Sequence, residues 1–119
     1  MMRMLADAHR QAAQDLEDTL ARMSDPAQWS RANRLLIDGY WGAAFHWIAF
    51  GCQQKYGKHK EKHSSLVTFL RDMGEPTISA RWETLENTRN GGSYGHHTDI
   101  EDVEEARRLY EEIRAWALS

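Results

Sequence analysis

The sequence is poor in the residues that mark secreted, disordered or membrane-spanning chains. Cys52 is the only cysteine among 119 residues, so no disulfide can form within the chain and a reducing, cytoplasmic setting is expected. Two prolines and no low-complexity tract argue against disorder and against a jointed array of domains. No apolar stretch approaches the roughly 18 residues that a membrane span requires, since Asp7 and His9 interrupt the first one. We therefore expect one compact domain over residues 1–119 and no membrane segment.

An excess of positive charge is also missing. Lys and Arg number 15 against 18 Asp and Glu, for a formal charge of -3, which excludes a polycation that coats nucleic acid or membrane by bulk charge. Reading of a DNA sequence is not expected, and an RNA or nucleotide partner must be met by a local basic patch. Residues 55–63 offer such a patch, although a solvated loop kept soluble by lysines explains the same pattern. Its lysines are Lys55, Lys58, Lys60 and Lys62.

Apolar residues recur at helical spacing through most of the chain. Over residues 5–23 they lie three and four positions apart, on one face of a helix that Pro26 ends. Over 29–56 they cover much more than one stripe, so this second helix must be buried on several sides. One small bundle has few other helices to cover so broad a belt, and we expect part of it to form a homodimer interface. The residues assigned to that interface are Tyr40, Trp41, Phe45 and Trp47.

The second predicted helix contains three glycines, which disfavour helix formation and therefore call for a structural explanation. Gly39, Gly42 and Gly51 each cost about 1 kcal/mol of helix propensity relative to alanine. The close approach of another backbone is the simplest explanation, and it is expected here.

Three further helices follow. A glycine and a proline end a short helix over 66–73, and helical spacing resumes over 78–89. The glycine-rich residues 90–95 are predicted to form a loop or a frayed helix end. Thr98 lies at capping-box spacing from Glu101 at the start of the last helix. No segment shows β alternation, so the predicted fold class is all-α, an up-and-down antiparallel bundle of four to five helices.

Two histidines, His59 and His63, lie four residues apart, a spacing that places two imidazoles on one face of a helix. Lys60 follows the first, where zinc proteases have Glu; no third ligand is evident nearby, and the neighbouring lysines would repel a divalent cation. His9 and His46 fall on helices and are interpreted as a surface and a core residue. No metal site and no cofactor are therefore expected.

The segment from Arg89 and Asn90 to His96 carries the strongest chemical pattern. A permanently charged guanidinium, a carboxamide and an imidazole that titrates near neutrality are what phosphoryl transfer without a metal needs. The glycines between them let the chain fold back, so that both ends reach one phosphate. An arginine at a helix end that packs on Trp82 or pairs with an acid explains the same residues, and both interpretations stay open.

An all-α chain of this length resembles the HEPN domains (higher eukaryotes and prokaryotes nucleotide-binding). Residues 38–50 are similar to the aromatic and small-residue second helix of that family, and His63-Ser-Ser-Leu is similar to its third-helix opening. Arg89-Asn90 followed by Tyr94 and His96 is similar to its signature of Arg, a polar residue and His. The resemblance implies a helical bundle that pairs as a homodimer and brings two Arg/His motifs to one cleft.

The resemblance allows two functions. Many family members are metal-independent endoribonucleases that serve as toxins, in defence or in RNA processing, and that leave 2',3'-cyclic phosphate and 5'-hydroxyl ends. Others lack activity and bind nucleotides or partner proteins. For the enzyme, the resemblance implies that His96 acts as general base or acid on the ribose 2'-hydroxyl, that Arg89 stabilises the phosphorane charge, and that Asn90 orients the phosphate.

The same resemblance suggests contacts and partners. Tyr94, His97 and the lysines of residues 55–63 are the candidate contacts to RNA or a nucleotide. An antitoxin or a nucleotidyltransferase is the candidate protein partner. Thr98 stands where family toxins that are paired with an adenylylating nucleotidyltransferase carry tyrosine, which weakens that pairing.

Overall fold

The computed structural model describes residues 6–22, 29–93 and 100–119, and helices account for most of them. In chain order these are α1 (Ala6–Arg22), α2 (Trp29–Tyr56), a short 3-10 turn (His63–Ser65), α3 (Leu66–Asp72), α4 (Pro76–Ser93) and α5 (Ile100–Leu118). Those three ranges contain no strand. The predicted all-α class, with four to five helices, is confirmed.

The longest helix, α2, lies in the middle of the bundle and packs against α1, α4 and α5. Helices α1 and α4 run antiparallel to α2. Helix α5 runs parallel to it, since Tyr40 packs on Tyr110 and, eleven residues later, Gly51 meets Ala117. Consecutive long helices therefore alternate in direction, which is the predicted up-and-down order. The short α3 packs on α4.

The apolar belt of α2 is covered by other helices of the same chain. Trp47 and Ile48 of α2 are fully buried, together with Trp82 of α4 and Ile113 of α5. Each such side chain contributes about 1.5–3 kcal/mol when it leaves water. Within the described ranges, the large apolar side chains that remain exposed are Leu35, Tyr56 and Leu118. The chain's own helices therefore cover most of this belt, although Leu35 stays exposed and Tyr40, Trp41 and Phe45 are only half-buried.

The glycine and the proline that were predicted to end the short third helix lie at the end of α3 and at the start of α4. Gly74 has a φ of +81°, and its N–H donates to the carbonyl of Arg71, while the N–H of Glu75 donates to the carbonyl of Leu70. These bonds satisfy the last carbonyls of α3, and only glycine adopts that φ freely. Pro76 then starts α4, where its missing N–H costs nothing.

Helix α4 extends through Ser93, so the glycine-rich segment begins as helix rather than as loop. Pro26 and the Thr98 cap lie outside the described residues.

Among the helices described, none combines the length and apolar character needed to cross a bilayer.

Candidate functional site

The Arg89 side chain is held by two residues of α2. Its Nε lies 3.2 Å from Oδ1 of Asp38, and its Cζ lies 4.0 Å from the centre of the Trp41 ring. Asp38 and Trp41 are three residues apart, so they share the face of α2 that packs against α4. The guanidinium therefore stacks on the indole while the carboxylate fixes its direction.

The Arg89 side chain is only partly buried. About a third of its side chain (32%) and of the Asp38 side chain (38%) is exposed. Water screens a pair in that position, so the pair contributes about 0–1 kcal/mol to stability and acts mainly to orient the arginine. The structure thus contains the pairing with an acid that the sequence left open, and the aromatic partner is Trp41 rather than Trp82.

A histidine that the sequence did not assign to this site lies against the same indole. The His63 ring centre is 5.0 Å from that of Trp41, edge to face, and its Nδ1 is 3.4 Å from Oε2 of Glu86. Glu86 precedes Arg89 by three residues and shares its face of α4. Half of the His63 side chain (49%) is exposed. An imidazole and a guanidinium therefore both contact the Trp41 indole.

The rest of the predicted catalytic segment lies at and beyond the end of α4. Asn90 is half-buried and helical, and its side chain leaves the helix about 100° around the axis from that of Arg89. Tyr94, His96 and His97 lie outside the described residues. Because α4 ends at Ser93, the segment that carries them starts about one turn after Arg89.

Lys55 lies far from Arg89. Its Nζ donates to the backbone oxygen of Ser119 at 3.0 Å and lies 5.4 Å from the Trp116 ring centre. Seventeen residues of α2 separate Lys55 from Asp38, which is about 25 Å of helix. The structure therefore places Lys55 against α5 and not beside the arginine.

The other three lysines follow the end of α2. Lys58 and Lys60 line a surface groove along α3, and the Lys60 ammonium lies 5.7 Å from the Phe69 ring centre. Lys62 is exposed and immediately precedes the 3-10 turn. Contact of these lysines with RNA or a nucleotide stays a prediction.

The four residues predicted for a dimer interface do not share one environment. Trp47 is 0% exposed and packs edge to face on Phe50 in the core. Its assignment to an interface is wrong, because the chain's own helices already enclose it. Tyr40, Trp41 and Phe45 are half-buried and pack against the core.

Four titratable side chains meet between α1, α2 and the loop after α2. His9 is fully buried, so its interpretation as a surface residue is wrong. Its Nδ1 lies 2.9 Å from Nδ1 of His46, and its Nε2 lies 3.3 Å from Nε2 of His59. Oε1 of Glu61 is 2.7 Å from Nε2 of His59. His59 is thus joined to His9 of α1, whereas His63, four residues later in the chain, lies against Trp41.

Comparison of the chain with protein-family models, with curated proteins and with solved structures finds no match. The functional interpretation therefore depends on the side chains just described. Arg89 can bind a phosphate, His63 can transfer a proton, and the group around His9 can hold a cation.

Proposed function

We propose that this chain is a metal-independent endoribonuclease of the HEPN type that acts as a homodimer. The observation that supports the proposal is the Arg89 side chain, which is seated on Trp41 and Asp38 with about a third of it exposed. A guanidinium held in this way offers a permanent charge and paired N–H donors to a phosphate. The all-α bundle agrees with the resemblance from which the HEPN type is proposed.

The reaction is a transesterification within RNA. The 2'-oxygen attacks the adjacent phosphorus while its proton passes to a base, and the 5'-oxygen of the next nucleotide leaves with a proton from an acid. One P–O bond forms and one breaks, which gives 2',3'-cyclic phosphate and 5'-hydroxyl ends. Arg89 stabilises the charge of the phosphorane, Asn90 orients the phosphate, and His96 transfers a proton.

His63 is the candidate for the second proton transfer. The reaction needs an acid as well as a base, and His63 lies at the same indole as Arg89. The Glu86 carboxylate beside its Nδ1 orients the ring. A homodimer supplies both histidines twice at a shared cleft.

Cleavage of transfer RNA by the purified protein in EDTA tests the proposal. Arg89→Ala removes the phosphorane contact and should lower the cleavage rate by about 10²–10³, and His96→Ala should lower it by about 10²–10⁴. Arg108→Ala is the matched control, because it removes an exposed arginine of α5 and should leave the rate unchanged. Cyclic phosphate ends on the products identify the reaction.

Two results contradict the proposal. One is the absence of cleavage, and the other is cleavage that is unchanged in Arg89→Ala or His96→Ala. His63→Gln tests whether His63 makes the second proton transfer. A lower cleavage rate supports that role, and an unchanged rate excludes it. Sedimentation equilibrium of the same sample should give twice 13.8 kDa, and a monomer at micromolar concentration contradicts the homodimer.

A non-catalytic module that binds a nucleotide or a partner protein is the second candidate. The Asp38 carboxylate favours it, because that group already balances part of the Arg89 charge that a transition state would use. Calorimetry with ATP should then show binding that Arg89→Ala weakens by at least about tenfold, or 1.4 kcal/mol, while RNA stays intact. The absence of both nucleotide binding and a protein partner removes this candidate.

A further inference from the structure

The histidine cluster, formed by His9, His46, His59 and Glu61, lies where α2 faces α1. Arg89 lies on a neighbouring face of α2, the one that faces α4. Three atoms of the cluster converge: Nε2 of His9, Nε2 of His59 and Oε1 of Glu61. Their separations are 3.3 Å between the two nitrogens, and 3.5 Å and 2.7 Å from the carboxylate oxygen to His9 and His59.

Gln53 fixes the tautomer of His59. Its Oε1 lies 2.8 Å from Nδ1 of His59, and an amide oxygen can only accept, so that nitrogen carries a proton. In neutral His59 the lone pair is then on Nε2, which faces His9 and Glu61. Histidines that bind metals generally donate their other N–H to such an acceptor.

His46 orients His9 in a similar way. One of the two Nδ1 atoms, 2.9 Å apart, must donate to the other. When His9 donates, its Nε2 carries a lone pair that faces His59. Burial lowers the pKa of both His9 and His46, with Glu61 acting in the opposite direction.

The spacing of the converging atoms matches a metal site. Three donor atoms that converge at these distances can share one cation. Tetrahedral zinc with bonds of about 2.0–2.1 Å separates its ligand atoms by about 3.3–3.4 Å. Two of the three observed separations lie within 0.2 Å of that value. The third involves Glu61, whose side chain is half exposed and can adjust.

We propose that His9, His59 and Glu61 bind a zinc ion, with Gln53 and His46 orienting the two imidazoles. Two imidazole nitrogens and one carboxylate oxygen favour zinc over magnesium or calcium, which prefer oxygen ligands alone. His9 and His59 are buried and Glu61 borders solvent, so water completes the fourth position. The ion ties the segment that follows α2 to α1, since His9 belongs to α1 and the other two ligands belong to that segment.

Two lysines of this segment, Lys58 and Lys60, line a groove along α3. Lys60 lies between two ligands in the chain, yet its ammonium lies over the Phe69 ring and lines the groove along α3. Lys58 lines the same groove. The contact with Phe69 therefore directs the charge of Lys60 toward α3.

Competition with a chromophoric zinc chelator at pH 7.5 tests the proposal on protein freed of metal by EDTA and dialysis. The chain should bind one Zn²⁺ with a Kd below about 1 µM. Glu61→Gln, at a half-exposed position, should weaken binding by at least about tenfold, and His59→Ala by at least about 100-fold, since each removes a ligand and even outer partners contribute about 10–100-fold. Gln53→Ala should weaken binding by about 10–100-fold. Co²⁺ in place of zinc should give the visible absorption of a four-coordinate site.

His63→Ala is the matched control, because it removes a histidine from the same stretch of chain but not from the cluster. It should bind zinc within about twofold of the unaltered chain, well inside the 10–100-fold loss expected for a residue that supports the ion. Circular dichroism establishes that each variant keeps its helices. No 1:1 binding, equal loss in His63→Ala, or full affinity in both Glu61→Gln and His59→Ala would overturn the proposal. The assay contains no RNA, so its outcome is independent of the proposed nuclease.

Discussion

Gly51 lies where α2 and α5 come into close contact. A Cβ at this position would lie 2.6 Å from Cζ3 of Trp116 and 3.1 Å from Cα of Ala117. The second of these atoms is backbone and cannot turn away. The absent side chain therefore lets the two helices pack at their present distance.

Gly51→Ala should lower the free energy of unfolding by about 1–3 kcal/mol, the cost of overpacking, even though alanine favours the helix by about 1 kcal/mol. Urea titration followed by circular dichroism measures the difference. Gly91→Ala is the matched control, since nothing lies within 4 Å of its added Cβ, and it should keep or gain up to about 1 kcal/mol. Equal stability of Gly51→Ala and the unaltered chain would count against the close contact.

Single residues were predictable where the backbone imposes the requirement. The sequence predicted a close approach at the glycines of α2, and the contact of Gly51 with Ala117 confirms it for that position, whereas Gly42 meets only a Leu16 side chain at 3.4 Å. His63 was not predictable as a neighbour of Arg89, because that contact passes through Trp41 and depends on how α3 returns to the bundle. The sequence did contain one indication of this contact: Asp38 and Trp41 lie three residues apart on one helix, and an acid and an indole on the same face can bind a guanidinium.

At the scale of elements, Ser79 links α4 to α3. Ser79 is fully buried, and its Oγ donates to the backbone oxygen of Val67 at 2.9 Å. This is a side-chain hydrogen bond between two helices that the short connection at Gly74 already holds together. Without the Ser79 hydroxyl, the carbonyl oxygen of Val67 loses this hydrogen-bond donor.

Ser79→Ala should lower the free energy of unfolding by about 0.5–1.5 kcal/mol, the usual net contribution of such a bond. Thermal or urea unfolding measures it. Thr84→Ala removes an exposed hydroxyl of the same helix, which bonds only the carbonyl one turn earlier, and should change stability by less than about 0.5 kcal/mol. Similar losses in both variants would show that the bond to Val67 contributes nothing specific.

Helix bounds were the most predictable property of the elements. The apolar pattern over 29–56 coincides with α2, because a helix buried on several sides needs apolar residues on all of them. The same pattern could not show what covers each side. The periodicity of apolar residues shows how wide an apolar face is. It does not show whether Trp47, on that face, is surrounded by a second chain or by the core of its own chain. Only the packing of α1, α4 and α5 decides between them.

At the scale of the molecule, two groups of polar side chains lie on neighbouring faces of α2, with the Phe45 ring in contact with both Trp41 and His46. Arg89, Asp38 and His63 lie toward α4, and the histidine cluster lies toward α1. Helical spacing related Asp38 to Trp41 but could not relate His9 to His59, which are 50 residues apart. A cluster that forms only when distant parts of the chain pack together leaves no pattern of nearby residues in the sequence. The expectation of no metal site was based on the spacing of nearby residues alone, so it could not take this cluster into account.

Burial of the cluster also makes the stability of the whole molecule depend on pH. The pKa of His9 and that of His46 lie below the ordinary 6.5 because both rings are desolvated. In the unfolded chain the two rings regain their ordinary values. Below about pH 7 the unfolded chain therefore binds more protons than the folded one, and stability decreases as the pH is lowered. Above that range both states hold neutral rings, and the contribution is complete.

In EDTA, the free energy of unfolding should therefore be lower at pH 5.5 than at pH 7.5, as measured by urea titration across that interval. His46→Gln should make the curve flatter, because it removes one group that must stay neutral in the fold. Glu112→Gln is the control: the hydrogen bond from Arg81 holds the pKa of Glu112 below 4.5, so that carboxylate loses its contribution only at lower pH. A slope that His46→Gln leaves unchanged would mean that other groups control the acid sensitivity of the bundle.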